Sequence, residues 1–220
     1  MNSISPRLIL GIETATLNCS VGLVHGNQIV GQKNIFNRAV HSEKLIELVD
    51  EVLKPDFTFA DVNAIAVSIG PGSYTGLRIG LATAKGLAFH RQLPILPVPT
   101  LTALEATVRR EEIGDAIFFI KSHRDLVYYT VVKKNEPLIL KREIAYAPIG
   151  MVADLYPQHL LIGDNAFDGQ FGERLTVCFP MGEIVARLGA NYFEDLLPLS
   201  RKAIEPDYHS NLEAKTWHLK

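Results

Sequence analysis

A glycine-rich loop is the segment of this sequence best suited to bind an anion. It reads Ser68-Ile69-Gly70-Pro71-Gly72-Ser73-Tyr74-Thr75-Gly76-Leu77-Arg78-Ile79-Gly80. The apolar run 64–67 before it is typical of a buried strand, and residues 77–89 after it are typical of a helix. Glycine permits positive φ and close backbone approach, and amide groups at a helix start can hold an anion. The loop is therefore a candidate phosphate-binding loop.

The spacing of these glycines departs from the nucleotide-binding motifs. The order Gly70-x-Gly72-x-x-x-Gly76 is one residue longer than the dinucleotide fingerprint. A P-loop ends in Gly-Lys-Ser/Thr, whereas Gly76 is followed by leucine and arginine. Ser73 lacks the Gly-x-Ser-x-Gly frame of a nucleophile, so we expect it to cap the following helix.

Other residues with reactive side chains predict neither catalysis nor metal binding. No two of the seven histidines stand four residues apart, as a helical metal pair requires. The stretch Ile162-Gly163-Asp164-Asn165-Ala166 lacks the paired glycines of a second phosphate loop and is typical of a turn. His123-Arg124-Asp125-Leu126 resembles a kinase catalytic loop, but Thr130 stands where asparagine is required. Cys19 and Cys178 make neither a disulfide framework nor a zinc site.

The helix after the loop has one side with very small side chains. Gly76, Gly80, Ala84 and Ala88 recur every four residues and therefore lie along one side of a helix. A glycine inside a helix costs about 1 kcal/mol relative to alanine, so close contact must offset this cost. The pattern leaves open whether the contact is within the monomer or with a second chain.

The apolar periodicity predicts two β-rich regions, each followed by helices, and hence a duplicated α/β plan. We expect two lobes, residues 1–110 and 111–220, with a boundary near Arg110. The first lobe has predicted strands at 7–12, 19–25, 28–34 and 64–69, and predicted helices at 41–53, 77–89 and 100–110, the first capped by Ser42 and the last by Thr100 or Thr102. The second has predicted strands at 116–121, 126–133, 138–144, 160–162 and 175–179, helices at 150–155 and 183–193, and an irregular tail from Arg201.

Composition limits the classes of function. The chain has 220 residues, 47% hydrophobic and 21% charged, with a net charge of −2. This charge disfavours strong direct binding to nucleic acid or to an anionic membrane. No apolar run reaches the roughly 18 residues that span a membrane, and no secretory signal opens the chain. We therefore expect a cytoplasmic protein with no membrane partner.

Several of these segments together resemble the bacterial TsaB family, also called YeaZ. The resemblance covers about the first 105 residues. It is carried by Ile9-Leu10-Gly11-Ile12-Glu13-Thr14-Ala15-Thr16, Cys19-Ser20-Val21-Gly22-Leu23, His41 with Leu45, the glycine loop with its helix, and Pro97-Val98-Pro99-Thr100-Leu101.

The resemblance implies an α/β, actin-like or Hsp70-like ATPase (ASKHA) fold, with two lobes that each hold a mixed sheet and helices. It implies a non-catalytic subunit that binds and activates TsaD, which transfers threonylcarbamoyl to adenosine 37 of tRNA. TsaE would join through the TsaB–TsaD complex, tRNA would be reached only indirectly, and the isolated chain would form a homodimer. No cofactor is expected on this chain alone, although the interface with TsaD is a place for ATP or ADP.

Two sets of site residues follow from this interpretation. The expected partner-binding residues are Leu45, Leu48, Val49, Val52, Tyr74, Gly76, Leu77, Arg78, Gly80, Leu81, Ala84, Lys85 and Ala88. The expected vestigial phosphate loop comprises Glu13, Thr14, Thr16, Gly70, Gly72 and Ser73. Two alternatives stay open: an actin-like nucleotide hydrolase or metallopeptidase acting alone, and a stand-alone homodimer with a regulatory or peptidoglycan-related role.

The sequence also departs from the family pattern at three places. Glu13 stands where the family usually has aspartate, as a remnant of a metal-site acid or as a turn residue that is solvated or hydrogen-bonded. Ser122-His123-Arg124 replaces Asp-Ala-Arg, and a proline-tyrosine-arginine segment is reduced to Pro198-Leu199-Ser200-Arg201. These differences affect the second lobe more than the first.

Overall fold

The computed structural model of the chain describes residues 6–37, 41–200 and 203–209. The predicted irregular tail from Arg201 therefore lies outside the described residues, except for residues 203–209. In the part of the chain that the structure describes, no helix is both long and apolar enough to cross a membrane.

The first sheet has five strands in the order β3-β2-β1-β4-β5. An antiparallel meander is followed by two strands parallel to β1. The strands are β1 (Leu8–Glu13), β2 (Asn18–His25), β3 (Gln28–Phe36), β4 (Ala64–Gly70) and β5 (Ile95–Pro99). Every residue of β1 is buried because helices cover both faces of the sheet. The four predicted strands of this lobe are confirmed. The proline-rich segment 93–99, whose alternating prolines suit an edge strand or a connector, contributes the edge strand β5.

Two amphipathic helices, α1 (His41–Leu53) and α2 (Tyr74–Phe89), cover one face of this sheet. The apolar residues of α1 recur at helical spacing, so one side of it is buried and the other carries charges. α1 starts at His41, so Ser42 lies inside the helix rather than at its cap. The next helix, α3 (Thr100–Glu105), ends well before Arg110, which shortens the predicted helix.

The second sheet repeats the topology of the first, with the order β10-β9-β6-β7-β8. A meander again precedes two strands parallel to the first strand of the sheet. Its elements are β6 (Ala116–Lys121), β7 (Leu126–Val132), β8 (Ala145–Pro148), α4 (Ile149–Leu155), β9 (Leu160–Gly163) and β10 (Leu175–Val177). The duplicated plan predicted from the apolar pattern is confirmed.

A buried ion pair explains why the predicted strand at 138–144 is irregular and β8 begins only at Ala145. The Arg142 guanidinium binds the Glu105 carboxylate with two hydrogen bonds of 2.6 and 2.9 Å. The same guanidinium donates to the carbonyl of Pro137. These contacts draw the segment toward α3 and away from the edge of β7.

The last two helices, α5 (Gly182–Asn191) and α6 (Phe193–Ser200), return to the first sheet. α5 packs so closely that a Cβ on Gly22 would collide with the backbone of Glu183. The predicted helix 183–193 corresponds to α5, and the sequence pattern did not predict α6. The lobe boundary near Arg110 falls between α3 and β6 but stays a prediction, since the first sheet also receives residues from the end of the chain.

Candidate functional site

The glycine loop joins β4 to α2 and packs on the turn that follows β1. The Ser73 hydroxyl accepts a hydrogen bond from the amide of Gly76 at 3.2 Å, so the predicted cap of α2 is confirmed. The amide of Ser73 donates to the carbonyl of Ala15 at 2.7 Å. Gly70 has a φ of +130°, a conformation that favours glycine. The loop is therefore built as a tight passage into a helix.

Protein atoms fill the space beside the glycines. The Thr14 hydroxyl donates to the carbonyl of Gly76 at 2.7 Å. A Cβ on Gly76 would collide with the carbonyl oxygen of Thr14, and one on Gly80 with the Thr14 hydroxyl. A Cβ on Gly72 would lie 2.6 Å from the carbonyl oxygen of Ala15. The small side of α2 therefore makes its close contact inside the monomer, with the end of β1.

Glu13 places a carboxylate inside this loop. It is fully buried, accepts a hydrogen bond from the amide of Ala15 at 2.6 Å and accepts another from the Ser68 hydroxyl. Burial raises the pKa of Glu13 to about 7, and these hydrogen bonds together with one from the Thr16 amide oppose the rise. The turn interpretation of Glu13 is the one that the structure supports.

The fold of this lobe suggests a nucleotide phosphate or a metal here, and the residues do not fit either. The internal Glu13 carboxyl already takes hydrogen bonds of the turn amides, so these amides are not available to a phosphate. Within the described ranges no group of three or more His, Cys, Asp or Glu is arranged to hold a metal ion.

The candidate second phosphate loop is a turn. A Cβ on Gly163 would meet the ring of Phe119 at 2.5 Å, so the backbone is tightly covered. The Asp164 carboxylate accepts a hydrogen bond from the amide of Ala166 at 3.1 Å and thereby begins a short 3-10 helix. These contacts agree with the turn predicted from the sequence.

Most of the expected partner-binding residues lie inside the first lobe, which corrects that expectation. The buried ones are Leu45, Leu48, Val49, Val52, Gly76, Leu77, Gly80, Leu81, Ala84 and Ala88. The physical reason is that both helices turn their apolar or small side toward the sheet, which removes that side from water. A partner cannot reach these side chains while the lobe is folded.

The outer side of α1 and α2 carries a different set of exposed residues. Tyr74 is 53% exposed, and Arg78 and Lys85 are exposed beside it. Ile46 of α1 and Phe89 of α2 are 53% and 84% exposed, and sequence reasoning missed both. The signal for them was an apolar side chain out of phase with the buried side of its own helix.

The sequence analysis also missed the segment of residues 203–209, here called the C-terminal strap. It runs along the outer side of α2, where Lys85 Nζ donates to the carbonyl of Ile204 at 2.7 Å and Arg78 Nε donates to Tyr208 Oη at 2.8 Å. The amide of Asp207 donates to the carbonyl of Ile69 at 2.7 Å. The sequence pattern that could have predicted the strap is Pro206-Asp207-Tyr208, which contains a proline and a tyrosine. The proline-tyrosine-arginine segment of the family was instead assigned to residues 198–201.

The kinase-like sequence forms the hairpin turn between β6 and β7. Arg124 has a φ of +54°, and the amide of Leu126 donates to the carbonyl of His123 at 3.0 Å. The Ser122 hydroxyl lies 3.2 Å from Nδ1 of the exposed His123 ring. This geometry is that of a surface turn and assembles no catalytic loop.

Sequence similarity to known proteins assigns this chain to a family. Residues 35–172, more than half of the chain, match the family model described as TsaD, tRNA N6-adenosine threonylcarbamoyltransferase. The tRNA threonylcarbamoyladenosine biosynthesis proteins TsaB of Haemophilus influenzae and Escherichia coli are 30% and 33% identical to it over 130 residues. The chain belongs to the TsaD family, in its TsaB (YeaZ) branch. Those matches cover 58% of this TsaB-family chain and only 55% and 56% of the two relatives, little more than half of their length.

A solved structure agrees with the TsaB assignment over most of the chain. YeaZ from Pseudomonas aeruginosa superposes with a TM-score of 0.72 at 25% identity and covers 86% of this chain and 93% of its own. The two mixed sheets of equal topology give this TsaB-family chain the two-lobed actin-like, Hsp70-like ATPase fold that the resemblance implied.

Proposed function

We propose that this chain is a non-catalytic accessory subunit that binds and activates TsaD. The reaction is threonylcarbamoyl transfer to adenosine 37 of tRNA, which forms the modified base t6A, and the place of action is the cytoplasm. The observation that carries the proposal is the closed glycine loop, in which Thr14 and Ala15 lie directly against the glycines and the Glu13 carboxyl takes the hydrogen bond of the Ala15 amide. Because protein atoms close the loop of this lobe, we expect the chain to support the reaction by binding TsaD rather than by catalysis.

The family assignment also supports a role in threonylcarbamoyladenosine biosynthesis. The two TsaB relatives are named for threonylcarbamoyladenosine biosynthesis, and the matched family model is that of the transferase TsaD. Because this chain matches the family model of TsaD, we expect the two proteins to share a fold. Equivalent helices of the two chains would then pack against each other in the complex. TsaE joins through the resulting complex, and tRNA reaches this chain only through it, in line with the net charge of −2.

The outer side of α1 and α2 is the surface that we assign to TsaD. Exposed Ile46, Tyr74 and Phe89 supply apolar and aromatic area, and Arg78 supplies charge. Interface cores are enriched in aromatic residues and arginine, and depleted of most other charged residues. In isolation a second copy takes the same surface and forms a homodimer. A nucleotide, where one is present, lies at the junction with TsaD and is not held by this chain alone.

Reconstitution tests the proposal. Threonylcarbamoyl transfer to tRNA by TsaD and TsaE is measured with and without this chain. We expect transfer to depend on its presence, while the chain alone transfers nothing. Calorimetry of the chain alone with ATP and Mg²⁺ is the control. Micromolar binding with turnover would instead support the nucleotide hydrolase, and transfer at full rate without the chain would contradict the proposal.

A further inference from the structure

The C-terminal strap is anchored to the glycine loop. Ile204 is part of the apolar core under α2, and the amide of Asp207 donates to the carbonyl of Ile69. Any Cβ on Gly70 would collide with the carbonyl oxygen of Asp207. Tyr128 of the second lobe donates from its hydroxyl to the carbonyl of Tyr208 at 3.1 Å. Contacts with both lobes thus hold the strap in a defined position beside α2.

Between strap and helix, Arg78 is held by two aromatic rings. Its guanidinium carbon lies 3.9 Å from the ring centre of Tyr74 and 5.8 Å from that of Tyr208. The two rings are 4.8 Å apart, and Arg78 Nε donates to Tyr208 Oη. Cation–π contacts and this hydrogen bond fix the long side chain before any partner arrives, so binding costs less conformational entropy.

Among the described residues, the Arg78 guanidinium has no carboxylate partner. The strap acid Asp207 faces the imidazole of His209 at 3.5 Å. Arg78 also borders a groove of about 440 Å³ between α2 and the strap, lined by Leu81, Ala82, Lys85, Glu205, Pro206 and Tyr208. The lining combines apolar with charged side chains, so a fixed arginine at its edge suits a carboxylate with an apolar neighbour.

We propose that the strap and the outer side of α2 form one recognition surface for an acidic, partly apolar segment of TsaD. Arg78 binds a carboxylate of that segment, and the groove takes the apolar side chain next to it. This inference rests on the proposed function, and it adds the strap to the surface and names the chemistry of the partner.

A nucleic acid fits this surface less well. Phosphate backbones require several cations along a track, and the described lining of the groove offers Arg78 and Lys85 beside the acidic Glu205. The amine of Lys85 is already bound to the carbonyl of Ile204. A single fixed guanidinium suits one carboxylate of a protein segment. Such a segment also has apolar side chains that can enter the groove.

Binding of purified full-length chain to TsaD from the same organism tests the inference. The variants are Arg78→Gln, which removes the charge, Arg78→Lys, which keeps the charge but loses the planar fork, and Tyr208→Phe, which loses the acceptor of Arg78 Nε. Arg124→Gln is the matched control, because it removes a charge that is also exposed but lies on the second lobe. We expect Arg78→Gln to weaken TsaD binding about tenfold or more, the other two variants to weaken it less, and the control to bind normally.

The salt dependence and self-association of the same variants separate the outcomes. Wild-type affinity should fall more steeply with salt than that of Arg78→Gln, because one ion pair is lost. If the wild type binds TsaD and every variant with an unchanged melting temperature binds equally well, the strap inference is overturned and the proposed function stands. If the wild type does not bind TsaD, both are overturned. If Arg78→Gln abolishes only dimerisation, as measured by sedimentation, the occupant is a second copy and the assignment to TsaD is overturned.

Discussion

The carboxylate of Glu13 accepts a hydrogen bond from the hydroxyl of Ser68, and both side chains are buried at the ends of neighbouring strands. The parallel register that pairs Ile12 with Val67 places the two next residues side by side. An acid that ends the first strand of this fold could point to a ligand in the cleft. In this chain it points into its own turn, and the glycines of the loop instead allow the close contacts with Thr14 and Ala15.

Replacing Glu13 by glutamine should stabilise the protein at alkaline pH. The folded pKa of about 7 lies above the ordinary glutamate value of 4.5, so the folded state binds more protons between these values. Stability from this group is therefore complete below about pH 4.5 and is lost as pH rises through 7. The neutral amide avoids this loss, which is on the order of 3 kcal/mol at pH 8.

Urea unfolding of the wild type and Glu13→Gln at pH 5 and pH 8 measures this effect. The advantage of the variant should grow from the lower to the higher pH. An equal difference at both pH values would show that Glu13 does not titrate in this range.

Two glycines of α2 should respond in opposite directions to the same change. Gly80→Ala puts a Cβ against the Thr14 hydroxyl and should destabilise the protein by about 1–3 kcal/mol. Gly86 has open space around it, so Gly86→Ala should stabilise the helix by up to about 1 kcal/mol. Thermal and urea unfolding of the pair check this. Equal effects would mean that the small side of α2 is not packed on the end of β1.

The ion pair between Glu105 and Arg142 should be costly to break from one side. The two side chains are 0% and 6% exposed. Arg142→Met leaves a buried carboxylate without its guanidinium and should cost about 3–5 kcal/mol of unfolding free energy. Adding Glu105→Leu should recover much of the loss, since no buried charge remains. A double variant as unstable as the single one would contradict this account.

Phe89 should matter for the partner and not for the fold. Its side chain is 84% exposed, so Phe89→Ser should change the unfolding free energy by no more than about 0.5 kcal/mol. Transfer by TsaD in the presence of the variant should fall because apolar interface area is lost. Met151→Ser is the control, an exposed apolar residue on α4 of the second lobe that should leave transfer unchanged. Equal rates for both variants would remove Phe89 from the interface.

The sequence alone determined the features that depend on local pattern. Helical spacing of apolar residues predicted α1. An apolar run before glycines predicted β4 and a helix after the loop, although α2 begins at Tyr74 rather than at residue 77. The cap at Ser73 followed from its place before the helix. The repeated order of strands and helices indicated two lobes, and the glycine loop with its flanking segments indicated the family.

Only the tertiary structure decided which side of each element is covered. The small side of α2 contacts Thr14, a residue more than sixty positions away in sequence. α5 packs on the first sheet although the strands of the second sheet separate them in sequence. The strap lies on α2 through hydrogen bonds from Arg78 and Lys85 to residues near the chain end. Periodicity shows that a helix has a buried side, but burial itself depends on contacts between distant segments, and no local pattern encodes which segment arrives.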